Sequence, residues 1–168
     1  MQDALRAFMK AIESDPQAPM DTSDATLRFA ALAGLGSKYL AVGTPMTLGL
    51  VNCDAEEEAL VACHRLLFGP LEVLRTADLS IEEAMAADIV CLATTTEFEI
   101  DWIAEATHLN IRSAGPWSEG MHTLASSAAL TYLNAATAGP GVSHGLLCDV
   151  IQGSVSGRMG EEITALVA

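Results

Sequence analysis

The sequence predicts an α/β domain in which a mainly parallel sheet is flanked by helices, folded as one unit over residues 1–168. Three observations predict it. A short apolar strand, Thr47 to Val51, runs directly into a helical pattern. The near-continuous apolar run Asp88-Ile89-Val90-Cys91-Leu92-Ala93 has the composition of a strand buried on both faces. Strand-like and helix-like segments then alternate between turn residues along most of the chain, as a parallel sheet covered by helices requires. With 168 residues, 51% of them hydrophobic, the chain can build one sizeable core.

Each element has its local reason. Ala4, Leu5, Phe8, Met9 and Ile12 form one apolar stripe at helical spacing, so a helix is expected over 2–14. Asp15-Pro16 and Pro19 end it, Gln17 to Ser23 is a polar connection, and Ser23 or Asp24 caps a second helix to about Ala41. Gly43-Thr44-Pro45 closes that helix and leads into the strand from Thr47. A helix over 55–67 follows, broken by Gly69-Pro70, and Leu71 to Thr76 reads as a strand. Ser80-Ile81-Glu82-Glu83 is a capping box for a short helix to about Ala87. After the strand ending at Ala93, Ile100 to Glu105 suits a helical turn and His108 to Ser113 a further strand. Gly115 to Gly120 is a loop, 121–135 a helical candidate, Gly139-Pro140-Gly141 a break, and Ser143 caps a helix that Gly153 terminates. The helix over 2–14 and the segment 143–168 are expected to pack on the central sheet.

Charge narrows the partners. With 22 Asp+Glu against 8 Lys+Arg the formal net charge is −14, which opposes nucleic acid and anionic membrane surfaces. No apolar run approaches the roughly 20 residues that span a bilayer. The charged start of the chain, with Asp3, Arg6, Lys10 and Glu13, does not read as a secretory leader, so a cytoplasmic protein is expected. The four cysteines, Cys53, Cys63, Cys91 and Cys148, lack metal-ligand spacing and read as reduced core thiols. Cys53, beside a helix start, is the one placed for reactivity. No metal site is expected.

The turn after the first strand is the most informative stretch. A dinucleotide-binding turn is glycine-rich, because bare backbone N–H groups at a helix N-terminus must approach a pyrophosphate closely. Here the turn is Asn52-Cys53-Asp54 and the helix opens with Glu56, Glu57 and Glu58. Asp54 is expected to take the helix donors itself, giving a self-capped start that repels an anion.

Several stretches, in a common order over nearly the whole chain, resemble the ornithine cyclodeaminase and mu-crystallin family. Thr26-Leu27-Arg28-Phe29-Ala30-Ala31 with Ser37-Lys38-Tyr39-Leu40-Ala41 is similar to its T-x-x-R-T-A-A helix and K-Y-L-A segment. Ala87 to Thr96 is similar to A-D-I-V-x-x-A-T-T-S, and His108 to Gly115 resembles T-H-I-N-x-V-G. Asp149 to Arg158, with Glu162-Ile163-Thr164, resembles E-V-V-x-G-x-x-x-G-R before D-E-I-T. The resemblance implies a Rossmann-like fold, a nicotinamide dinucleotide, and a carboxylate clamp at Arg28. It also exposes departures. Members of the family are about twice this long, in keeping with a two-part enzyme. The insertion carrying a substrate and dimerisation domain, with its catalytic lysine, has no counterpart between the first helix and Thr26. The turn glycines align with Asn52, Cys53 and Asp54, the ribose acid is not evident, and the E-L-D aspartate falls in His122-Thr123-Leu124-Ala125. The short path from Phe68 to Ser80 implies the loss of one strand–helix unit.

Candidate site residues follow from both lines. Arg28 binds a substrate carboxylate bidentately or pairs with an acid of this chain. Thr94, Thr95 and Thr96 end a buried strand at the carboxyl edge, where such sheets bind ligands, or simply close the strand. Trp117 is a ligand stacker or a packing residue. Should the fold carry new acid–base chemistry, His122 with Glu119 is the pair expected to perform it; the alternative is a solvated loop. His64 reads as a satisfied core or boundary residue, and His108, which matches a position before a strand in the resembled family, as architectural. The expected function is a divergent protein without nicotinamide chemistry, either binding or acting on a small amino-acid- or imine-type metabolite, or assembling with itself or a full-length homologue. The alternative is an NAD(P)-dependent cyclodeaminase or ketimine reductase.

Overall fold

The structure, a computed structural model, describes residues 1–15, 24–127, 130–133, 145–158 and 160–168. The chain forms α1 (Gln2–Ser14), α2 (Ala25–Leu40), β1 (Thr47–Leu50), α3 (Glu57–Phe68), β2 (Glu72–Arg75), α4 (Ile81–Met85) and β3 (Ile89–Ala93). A 3-10 turn (Ile100–Trp102), β4 (His108–Arg112), α5 (Glu119–Ser126) and β5 (Leu130–Leu133) follow, then β6 (Gly145–Leu146), α6 (Leu147–Ile151) and β7 (Thr164–Val167). All neighbouring strands pair in parallel, in the order β2-β1-β3-β4-β7-β5-β6. This is the expected Rossmann-like architecture. In the usual dinucleotide-binding order two strands lie beyond the first one; here β2 is the outermost strand on that side.

Local chemistry accounts for the helix starts. The Asp24 carboxylate accepts from the Leu27 amide at 3.0 Å. Ser80 and Glu83 close a reciprocal capping box at the head of α4. In α1 the buried residues Leu5, Met9 and Ile12 lie on one stripe, and the helix lays that stripe against α2 and α3.

Two cores sandwich the sheet. One holds α1, α2, α3 and α6 side chains over Leu48, Leu50, Ile89, Cys91 and Leu166. The other places α4, the 3-10 turn and α5 over Val90, Leu92, Leu109, Ile111 and Ala165. Strand alternation explains the division, since successive side chains point to opposite faces. β1 also approaches α4 too closely for any side chain at Gly49, where a Cβ would overlap the carbonyl oxygen of Ala84. Gly49→Ala is therefore expected to lower stability by about 3 kcal/mol through overpacking, measured as a loss in melting temperature. An unchanged melting temperature would show that α4 can give way.

The second half departs from expectation. The helical candidate over 121–135 is a shorter helix, α5, followed by strand β5. Leu130 to Leu133 lies between β7 and β6, and the ladder to β7 overrides local helix preference. The helix ended by Gly153 begins only at Leu147, after the two-residue strand β6. Strand β7, absent from the sequence expectation, is fully buried between β4 and β5. Gln17 to Ser23, Gly139-Pro140-Gly141, Ser143 and residues 128, 129, 134 and 135 of the predicted helix lie outside the described residues. No helix among the described residues is long and apolar enough to cross a membrane.

Candidate functional site at the carboxyl edge of the sheet

From β1 the chain crosses to β2 on one side, then returns past β1 to β3 on the other. The carboxyl ends of β1 and β3 thus bound the crevice where open α/β sheets place ligands. Its floor is built by the turn after β1. Asn52 adopts a left-handed conformation, φ 54°, which asparagine tolerates better than most residues. Its backbone N–H is not open, because it donates to Thr76 Oγ1 at 3.1 Å. The Cys53 thiol is buried and donates to the carbonyl oxygens of Cys91 and Val51 at 3.2 and 3.4 Å. Burial, with Glu56 nearby, pushes this thiol up to about 12, so Cys53 is an inert packing group and not the reactive cysteine its position suggested.

The expected self-capping by Asp54 does not occur. Residues 54–56 form a turn before α3 begins, Glu56 is the N-cap, and its side chain makes no capping bond. Asp54 stands two residues ahead of the cap and is exposed. Glu56 is instead turned toward the last residue of β4: its carboxylate is only 9% exposed and lies 3.4 Å from Arg112 Nη1. The following acid, Glu57, pairs with Arg75 at the end of β2, 2.6 Å away.

The three threonines differ. Thr94 is fully buried, accepting from the Ala114 amide at 3.1 Å and donating to the Gly115 carbonyl at 3.2 Å. Thr96 is buried and accepts from the Ala93 amide at 3.3 Å. The Thr94 hydroxyl ties the end of β3 to the segment after β4, that of Thr96 closes the turn after β3, and of the three Thr95 alone is exposed.

Arg28 lies in the first turn of α2. That helix runs against the strand direction, because the Leu40 carbonyl at its end lies 3.1 Å from Thr164 Oγ1 at the start of β7, and Ser37 meets Asn110 within β4. Its N-terminal turn therefore reaches the carboxyl edge. The Arg28 side chain is exposed and pairs with no acid among the described residues.

Beneath this edge runs a buried chain of hydrogen bonds. His64 Nδ1 donates to the Leu60 carbonyl at 2.8 Å, so its Nε2 accepts from Ser37 at 3.0 Å. Ser37 Oγ in turn accepts from Asn110 Nδ2 at 2.8 Å. The Asn110 oxygen then accepts from His108 Nε2 at 3.1 Å, and His108 Nδ1 accepts from Thr164 at 2.9 Å. Arg158 completes the chain, donating to Thr164 Oγ1 at 2.8 Å and, through Nε, to the Leu40 carbonyl at 2.6 Å. The Leu60 carbonyl holds the His64 proton on Nδ1, and burial keeps both imidazoles neutral. Burial pushes His64 down to about 4 and His108 to about 3, the Arg158 charge adding to the second. Both histidines have the structural roles the sequence suggested.

On the other face, Glu97, Glu99, Glu119, Phe98, Trp102 and Thr123 line a cleft of about 230 Å³. Glu119 is brought to this cleft, but His122 is not: its ring lies against Trp117, centroids 5.9 Å apart, and both Glu119 and His122 are exposed. Among the described residues no group of three or more His, Cys, Asp or Glu is arranged to hold a metal ion. His144 lies outside the described residues. The Glu56–Arg112 pair is not evident in the sequence, where Glu56 is one of three consecutive acids at a helix start. An arginine at the end of a strand otherwise composed of buried residues was the available signal.

No protein-family model and no curated protein matches the sequence. Solved structures do match its fold. An archaeal alanine dehydrogenase dimer with bound NAD superposes with a TM-score of 0.69 at 20% identity, over 84% of this chain and 57% of that one. The Δ1-pyrroline-2-carboxylate reductase of Thermococcus litoralis, in complex with NADH and L-proline, gives 0.67 at 18% identity, over 84% and 58%. A probable ornithine cyclodeaminase from Bordetella pertussis gives 0.66 at 16% identity, over 84% and 59%. The chain shares the fold of these proteins and spans somewhat over half their length.

Proposed function

We propose that this chain is a divergent relative of the cyclodeaminases and reductases whose fold it shares, and that it does not rely on a dinucleotide. In this reading it binds or acts on a small amino-acid- or imine-type metabolite at the carboxyl edge, or assembles with itself or a full-length homologue. The observation that carries the reading is the turn after β1. The Asn52 amide is engaged by Thr76, the Cys53 side chain fills the floor, and Asp54, Glu56, Glu57 and Glu58 outnumber Arg75 and Arg112. A diphosphate lying there would meet like charge at short range and would lack the Asn52 donor, so the residues present do not fit it. Arg28, exposed and unpaired among the described residues, supports the metabolite half of the proposal, since its guanidinium is open to a carboxylate.

A second reading has its own support. No side-chain cap covers the first amides of α3, and two of the matching structures hold a nicotinamide dinucleotide. Calorimetric titration with NADH and NADPH separates the two readings. No saturable heat up to millimolar cofactor is the expected result; a micromolar Kd would instead make this chain an NAD(P)-dependent enzyme. Light scattering over a range of concentrations tests the assembly half, for which a dimer or larger species is expected.

A further inference from the structure

Resting on the metabolite half of that reading, we infer that Glu56 and Arg112 form the two halves of a site for a zwitterion, the ammonium and carboxylate of a free α-amino acid. Both side chains are underserved. The Glu56 carboxylate is nine-tenths buried, yet its contact with Arg112 Nη1 is 3.4 Å, longer than the 2.7–2.9 Å of a tight charge-assisted bond. It accepts no other hydrogen bond among the described residues, although a buried carboxylate normally recovers its lost hydration from several donors. Arg112 is 38% exposed, and its remaining guanidinium N–H groups reach no acceptor among the described residues.

Their placement limits what could serve both. Arg112 ends β4 on the same face as Asn110 and reaches past the end of β3 to the head of α3, so the pair spans the crevice. The neutral Cys53 thiol lies beside it and competes for neither charge. A simple anion would satisfy Arg112 and be repelled by Glu56; a simple cation would do the reverse. A molecule carrying both charged groups on one carbon completes both, its carboxylate on the open guanidinium edge and its ammonium on the Glu56 carboxylate.

The test uses the whole chain, with glycine, L-alanine, L-proline and L-ornithine as probes, followed by calorimetry and by amide chemical shifts. At least one probe is expected to bind and to move the amides of 52–56 and 112–115, whereas methylammonium, acetate and N-acetylalanine are not. E56Q and R112Q should each weaken binding about tenfold or more, the scale expected when one partner of a buried charge pair is lost. Circular dichroism checks that each variant folds; if R112Q does not, R112K is used in its place and should weaken binding by less. Binding that R28A abolishes while E56Q and R112Q leave it intact would overturn this site but keep the metabolite reading. No response to any of the four probes would overturn both.

Discussion

Acidification from pH 6.5 to 4.5 is expected to cost this protein about 5 kcal/mol of stability, at 1.36 kcal/mol per pH unit for each of two buried histidines. The sign follows from the direction of the shifts. His64 is held down to about 4 and His108 to about 3, below the 6.5 of a free imidazole. Across this window the unfolded chain binds protons that the native chain refuses. The stabilisation is therefore complete above pH 6.5 and disappears as the pH falls toward the folded values. For His64 the wiring agrees: protonating Nε2 would take away the acceptor of the Ser37 hydroxyl hydrogen. A loss of this size is a large part of the total for an ordinary domain. Urea unfolding at four pH values between 7 and 4.5 would measure it, and His64→Gln should reduce the slope by close to one proton. A stability that is flat from 6.5 to 4.5 would refute the assignment.

Asn110→Ala is expected to cost about 4 kcal/mol, the sum of an orphaned buried donor and a small cavity. Asn110 is the one residue that joins the two halves of the chain, taking the His108 proton on its oxygen and giving its own to Ser37. Without it the His108 Nε2–H has no acceptor in a site fully closed to water. The midpoint of urea unfolding should fall while its slope stays constant. Ser37→Ala adds a sharper criterion: combined with Asn110→Ala it should cost clearly less than the two separate losses, because both interrupt the same chain. Strict additivity would mean that the hydrogen bonds are not coupled.

The first half of the fold was legible because its signals are local. Asp24 and the Ser80–Glu83 box mark helix starts, and the Ile89–Ala93 run reads as a buried strand without reference to its neighbours. What was missed is set by distant pairing. Strands β5 and β7 are four residues each and owe their conformation to one another and to β4. The same distinction divides the candidate site. Asn52, Cys53 and Asp54 were placed at the right turn, but the sequence could not tell that the turn runs to Glu56, which takes Asp54 out of capping range and brings Glu56 inward. Arg28, a candidate from the resemblance alone, lies in the first turn of α2 with its side chain exposed. Glu119 and His122 share a helix, yet only Glu119 lines the cleft. The pairing of Glu56 with Arg112 joins residues far apart in the chain, and no local pattern announces it.

Helix α2 is fastened at its carboxyl end through Arg158 and Asn110, while in its first turn Leu27 and Phe29 pack inward and the Arg28 side chain is exposed. The fold therefore makes little demand on the residue at position 28, which can vary from one generation to the next without endangering the structure beneath it.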